Sequence, residues 1–292
     1  MSFCGLFNVN KPSGLTSRWV VDKITRVLGE PKLRAGHAGT LDPLATGVLI
    51  VCVGAATRLI GHVQRMSKSY LATFQLGQTS PTDDVEGSIT KLGGPIPTFE
   101  QLTQAACKFS GEIMQRPPVF SALKIKGRRA YELARKGCDI KLEPRPVSIY
   151  KLDIVAYEYP ILKLDIDCSS GTYVRAIGRD LAESLNTGAV MSDLVRTEVG
   201  NFRLEDAIKP DELSSTNFRE HLMPPIQAVQ TLQSLRLSEE ECKAIQNGLP
   251  ILDKCSGDGD EIAAVDQAGT LIGILRRCSD GTIRAIRNMP TN

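Results

Sequence analysis

The stretch ILKLDIDCSSGTYVRAIGRDLAESL, residues 161–185, changes its periodicity once, and that change decides the fold class. From Leu162 to Cys168 apolar residues alternate with Lys163, Asp165 and Asp167, which predicts a strand with one buried and one wetted face. After Gly171-Thr172 the period lengthens. Val174, Ile177, Leu181 and Leu185 then recur near helical spacing and predict a helix with one apolar face. Working outward, 148–157 predicts a partner strand, and 5–11, 47–53 and 68–77 predict further strands upstream. A strand pair over about 189–204 follows. Helices are expected over about 17–28, capped by Thr16 or Ser17 and closed by Gly29, then over 56–65, 98–109 and 129–136. Residues 35–46 and 79–88 read as loops. Strands outnumber long helices and hairpin-like neighbours dominate over βαβ alternation. The expectation is an α+β fold: a mostly antiparallel mixed sheet with flanking helices.

Residues 1–208 read as one large domain. The chain then turns polar and Pro-dotted over 209–234 (KPDEL, SSTN, MPPIQ), as a connector would. Residues 235–292 read as a small β-rich unit, with a helix near 238–247 and short strands separated by SGDGDE, DQAG and SDGT.

At 292 residues, with 42% hydrophobic and 23% charged, the chain suits an ordinary globular protein with a sizeable core. Its longest apolar run, VLIVCV (48–53), is far too short for a membrane span, and the first residues carry no secretory pattern, so a cytoplasmic location is expected. The eight cysteines form no CxxC pair and only three histidines accompany them, so no metal site is expected. Charge is unevenly placed. Between Arg116 and Arg145 nine basic residues face three acids, a net of +6 in a chain of +2, which leaves the rest at −4. A basic segment on a mildly acidic body is a footprint for a polyanion, or a solvated helix face rich in lysine.

Two stretches could carry chemistry. In AGHAGTLDPLATGVLIV (35–51) a lone acid, Asp42, stands among glycines, and Pro43 pushes it towards extended backbone. Such a carboxylate is either a turn residue or a projecting nucleophile or base. Arg175, in the first turn of its helix, gains nothing from the helix dipole and suggests an anion opposite, either a functional one or a surface Asp such as Asp167. Tyr70, at the start of a strand, could stack on a base or pack in the core with a wet hydroxyl. His37 could be a general base or a loop residue contacting backbone. KIKGRR (124–129) has the basic density of an arm laid along phosphates.

GHAGTLDPLATGVL (36–49) resembles the signature of the TruB-type pseudouridine synthases, which isomerise a uridine in the T loop of tRNA. KPSGLTS (11–17), KSY (68–70), PPVFSALKIKGRRAYELARKG (117–137), GTYVRAIGRDLAESL (171–185) and LVRTEVGNF (194–202) are similar to the family's other motifs in order and spacing. The resemblance spans about residues 5–205, and the tail resembles the small PUA-like RNA-binding domain that often follows. It implies the pseudouridine synthase fold, with Asp42 as the catalytic aspartate, Arg175 as its arginine partner and Tyr70 packed on the target base. Leu194 then lines the uracil pocket, His37 contacts RNA beside the flipped nucleotide, and Lys11, Lys124, Arg128 and Arg129 join it in binding RNA. Residues 116–145 correspond to an RNA-clamping thumb. Pro81 stands where the family usually carries an acid, and Val195 interrupts a usual Arg-Arg pair. Both touch RNA contacts rather than chemistry.

An isomerisation needs no cofactor, and no GxGxxG or P-loop pattern occurs. Three steps are open to Asp42: attack at C1′, addition at C6, or removal of the 2′ proton. The expected partner is the tRNA T stem-loop, met by a monomer without an obligatory protein partner. A guide-RNA-dependent synthase and a non-catalytic RNA-folding factor are the alternatives.

Overall fold

A computed structural model describes residues 3–30, 32–121, 123–125, 128–130, 133 and 142–290. The first unit contains, in chain order, β1 (Gly5–Lys11), α1 (Ser17–Leu28), β2 (Ala35–His37), β3 (Thr46–Val53), β4 (Lys68–Leu76), α2 (Phe99–Cys107), β5 (Gly111–Gln115), β6 (Arg145–Glu158), β7 (Ile161–Cys168), α3 (Val174–Glu183) and β8 (Ala189–Val199). Its main sheet runs β1-β3-β8-β4-β7-β6-β5, with β2 on β3 and Phe202–Arg203 on β8. Every pair is antiparallel except β3 with β8. The expected α+β architecture is therefore the one observed.

The strands differ in the way their sequences foretell. β7 alternates because only one face is covered: Leu162, Leu164, Ile166 and Cys168 enter the core beneath α3 while Lys163 stays in solvent. β3 is apolar from Val48 to Val53 because both of its faces are buried there. Leu49, Val51 and Val53 join the main core with α1, whereas Val48, Ile50 and Cys52 belong to a second buried cluster that also takes in Leu59, Val63 and Ala228 and reaches Ala263, Val265, Leu271 and Ile274 of the C-terminal unit.

That unit comprises β9 (Gln233–Arg236), α4 (Glu239–Gln246), β10 (Ile251–Leu252), β11 (Glu261–Val265), β12 (Leu271–Arg277) and β13 (Thr282–Asn288), in a sheet ordered β9-β11-β12-β13-β10. The segment before it is tied to β1 by backbone bonds Leu6 to Met223 and Asn10 to Ile208. Among the described residues no helix is long and apolar enough to cross a membrane.

Residues 35–37, expected as loop, form a strand. β8 pairs with β3 only at Thr46 and Gly47, so the rest of that edge is open, and Ala35–His37 fills it against Val51–Val53. In the basic segment a short hairpin pairs Lys124–Ile125 with Arg128–Arg129. The side chains of Lys124, Arg128 and Arg129, and most of the helix expected over 129–136, lie outside the described residues.

Candidate active site

The loop carrying Asp42 is held on both sides of the acid. Leu41 exchanges two hydrogen bonds with Ser17 of α1: its N–H donates to Ser17 Oγ at 2.9 Å, and the hydroxyl donates to its carbonyl at 3.1 Å. The Pro43 carbonyl accepts from Gly14 N at 2.8 Å and from Lys11 Nζ at 3.2 Å. The Asp42 carbonyl accepts from Ala45 N at 3.1 Å, so the Asp-Pro segment is a turn, and the carboxylate projects from it with 36% of its side chain exposed. Gly47 lets β3 approach β8. A Cβ there would collide with the Arg196 backbone, and its φ of +99° is unfavourable for other residues.

Lys11, expected on the RNA surface, is instead fully buried at 0% exposure. Its ammonium donates to the carbonyls of Pro12, Leu15 and Pro43, so it acts on the loop and not on RNA directly. Burial lowers its pKa from 10.5 to about 8, with Asp42 opposing. The unfolded chain keeps this proton to about pH 10.5 and the folded chain releases it near 8, so through that window the unfolded state binds more protons and stability rises with pH. The stability of the native chain relative to Lys11→Met should therefore grow by about 1–3 kcal/mol across the window, read from denaturant titrations. A flat difference would mean that Lys11 titrates near its ordinary value.

Arg175 sits in the first turn of α3, whose start is clamped by the buried Gln115: Tyr173 N donates to Gln115 Oε1 at 2.8 Å and Gln115 Nε2 donates to Tyr173 O at 3.0 Å. Its guanidinium lies between two carboxylates. Nη2 is 3.2 Å from Asp42 Oδ2 and donates to Phe120 O at 3.0 Å. Nη1 pairs with Asp84 Oδ2 at 3.0 Å and donates to Thr82 O at 2.6 Å. Asp84 is 3% exposed, and its other oxygen accepts from Thr82 Oγ1 and Glu86 N. One carboxylate thus anchors the arginine from within while the other meets solvent. Asp167 is not the partner.

Tyr70 of β4 stands opposite Arg196 of β8. Burial raises the pKa of its phenol, a hydrogen bond and the charge of Arg196 pull the other way, and the hydroxyl is bonded rather than wet. Arg196, 2% exposed, also donates from Nε to Val48 O at 2.7 Å and from Nη2 to Gly39 O at 3.1 Å. One cation therefore fixes the phenol, β3 and the loop ahead of Asp42.

These elements enclose a cavity of about 140 Å³ lined by Leu41, Asp42, Tyr70, Ser121, Arg175 and Leu194 among others. Clefts of about 490 and 420 Å³ beside α1 and the loop before β2 hold none of the carboxylate, phenol or paired arginine, so size does not mark the site. The cavity is a small slot of mixed polar and apolar lining, with one accessible carboxylate on its wall and a neutral phenol across it. Such a slot suits a planar base brought beside a nucleophile or base.

The structure thus brings together Asp42, Tyr70, Arg175 and Leu194 from the sequence reading. His37 lies half-buried on β2 and is not among the cavity residues. Asp84, Arg196 and Gln115 join the site without a prior sequence expectation, and Ser17, a candidate helix cap by sequence, instead holds Leu41 while Thr16 caps α1. For Arg196 a signal existed: it shares a strand face with Leu194, so alternation alone turns it inward.

The model of the TruB family pseudouridylate synthases (N-terminal domain) matches residues 26–174. The chain belongs to this family. It is thereby an isomerase of the pseudouridine synthase class, as the sequence motifs implied. Proteins named tRNA pseudouridine synthase B are similar to it along most of its length. That of Clostridium kluyveri is 41% identical over 250 residues, covering 86% of each chain. That of Caldanaerobacter subterraneus subsp. tengcongensis is 39% identical over 277 residues, covering 94% of this chain and 95% of that protein. Among solved structures, a Cbf5-Nop10-Gar1 complex superposes with a TM-score of 0.75 at 24% identity, covering 98% of this chain and 85% of that one. An H/ACA RNP bound to a substrate RNA containing 2′-deoxyuridine gives 0.73 at 23% identity, covering 98% of this chain and 85% of that one. At these identities this chain shares with them the fold.

Proposed function

We propose that this chain isomerises a uridine in the T loop of tRNA to pseudouridine, with Asp42 as the catalytic carboxylate. The single observation that carries the assignment of Asp42 is the Asp84–Arg175–Asp42 arrangement at the cavity wall, where the only solvent-reaching member is Asp42. The tRNA assignment is supported by relatives that bear that substrate in their name.

The bond changes fit this apparatus. The C1′–N1 bond breaks, C1′–C5 forms, C5 loses its hydrogen and N1 gains one, so the reaction balances without an external reagent. Attack at C1′, addition at C6 and removal of the 2′ proton all begin with an ionised Asp42. Arg175, 3.2 Å away, orients it. A base inside a folded loop must leave its stack to reach the cavity. Tyr70 and Leu194 then hold the ring.

Residues 116–145 act as the thumb, holding RNA through its backbone, and the 235–292 unit is a PUA-like RNA-binding domain on a cytoplasmic monomer that needs no guide RNA or protein partner. Neutralising Arg128 and Arg129 together should weaken tRNA affinity and reduce the slope of log affinity against log salt by roughly 1.5, while the single-turnover rate at saturation changes little. An unchanged slope would remove the thumb assignment.

The reaction is read directly from a tRNA transcript carrying tritium at uridine C5. The purified chain alone should release one equivalent into water per RNA. Absence of release, or release only when a guide RNA is added, would refute the proposal.

A further inference from the structure

We infer that Ser121 is a substrate-recognition residue, its hydroxyl donating a hydrogen bond to a ring carbonyl of the uracil brought into the cavity. The inference rests on the reading that this cavity receives the target base.

Ser121 is 3% exposed and lines the cavity with Asp42 and Tyr70. Among the described residues its Oγ is buried without a hydrogen-bond partner. Buried hydroxyls are rarely left so, because the group has given up water and gained nothing. The orphaned hydroxyl is also well placed. The carbonyl of its neighbour Phe120 accepts from Arg175 Nη2, the same nitrogen that lies 3.2 Å from Asp42. One guanidinium therefore fixes both the reactive carboxylate and the backbone that presents Ser121.

Two other donors at the wall are committed. Arg175 serves two carboxylates and two carbonyls. Thr172 Oγ1 donates to Ser169 O at 3.0 Å. A uracil entering this slot buries carbonyl oxygens that need donors, and Ser121 is a buried hydroxyl free to supply one. A site that hydrogen-bonds its substrate also disfavours a base that leaves the hydroxyl unmet.

The test compares the full chain with Ser121→Ala on tRNAs assembled with uridine, 2-thiouridine, 4-thiouridine or 2′-deoxyuridine at the target position. With uridine, kcat/KM should fall about tenfold, the worth of one net hydrogen bond. The melting temperature should stay level or rise, since the substitution removes an unpartnered buried group; a merely structural serine would lower it. Sulfur is a weak acceptor, so the tenfold loss should shrink on one of the two thio substrates and persist on 2′-deoxyuridine. An unchanged kcat/KM, a fall accompanied by a lower melting temperature, or a loss equal on all four substrates would overturn the inference. Asp42→Asn, run in parallel, separates the two levels. Turnover by that variant would remove the cavity reading as a whole, whereas its inactivity beside a fully active Ser121→Ala would remove only the role of Ser121.

Discussion

Asp42→Asn is expected to lower pseudouridine formation at least about a thousandfold while leaving RNA affinity within a few-fold and the melting temperature nearly unchanged. The separation follows from which groups lose a partner. Asparagine keeps the shape of the side chain and removes the charge, so the reactive group is lost. Arg175 is not orphaned, because its other nitrogen still pairs with the buried Asp84 at 3.0 Å and its backbone acceptors are untouched. The loop is equally indifferent, being held through Leu41 and Pro43 rather than through the carboxylate. Single-turnover kinetics, filter binding and thermal melting on one preparation check all three readouts. An active variant, or one that fails through unfolding, would refute the assignment.

Asp84→Asn should behave differently. Asp84 is 3% exposed and is the inner anchor of Arg175. Removing one partner of a buried ion pair leaves a poorly compensated charge and costs about 3–5 kcal/mol. Activity should fall as well, by roughly a hundredfold, because an arginine freed from its anchor no longer holds Asp42 in place. Rate and stability therefore drop together here and separate at Asp42. A variant as stable as the native chain would show that Asp84 does not anchor the arginine.

The contrast between these two acids marks what the sequence discloses. Asp42 is conspicuous because glycines and a proline surround it. Asp84 lies in SPTDDVEGS, a polar turn-rich run in which a buried anchor looks like any solvated acid, since no periodicity reports burial in a loop. Fold class was legible in the alternation of β7 and the continuous apolar run of β3, because each records how many faces the strand buries. β2 was not, because it exists to fill an edge left open by the short β3–β8 pairing, a fact of topology rather than of local residue choice. The burial of Lys11, which the family resemblance places on RNA, is hidden from the sequence for a related reason. At the last position of β1 a lysine head group normally reaches water, and only the fold converges three carbonyls on its ammonium.

The most direct measurement incubates the purified chain with an unmodified tRNA transcript, adds nothing else, and maps pseudouridine along the RNA. The account predicts a single converted uridine, in the T loop, and none with Asp42→Asn. Conversion at other positions only, no conversion without a further RNA or protein, or conversion by Asp42→Asn would contradict it.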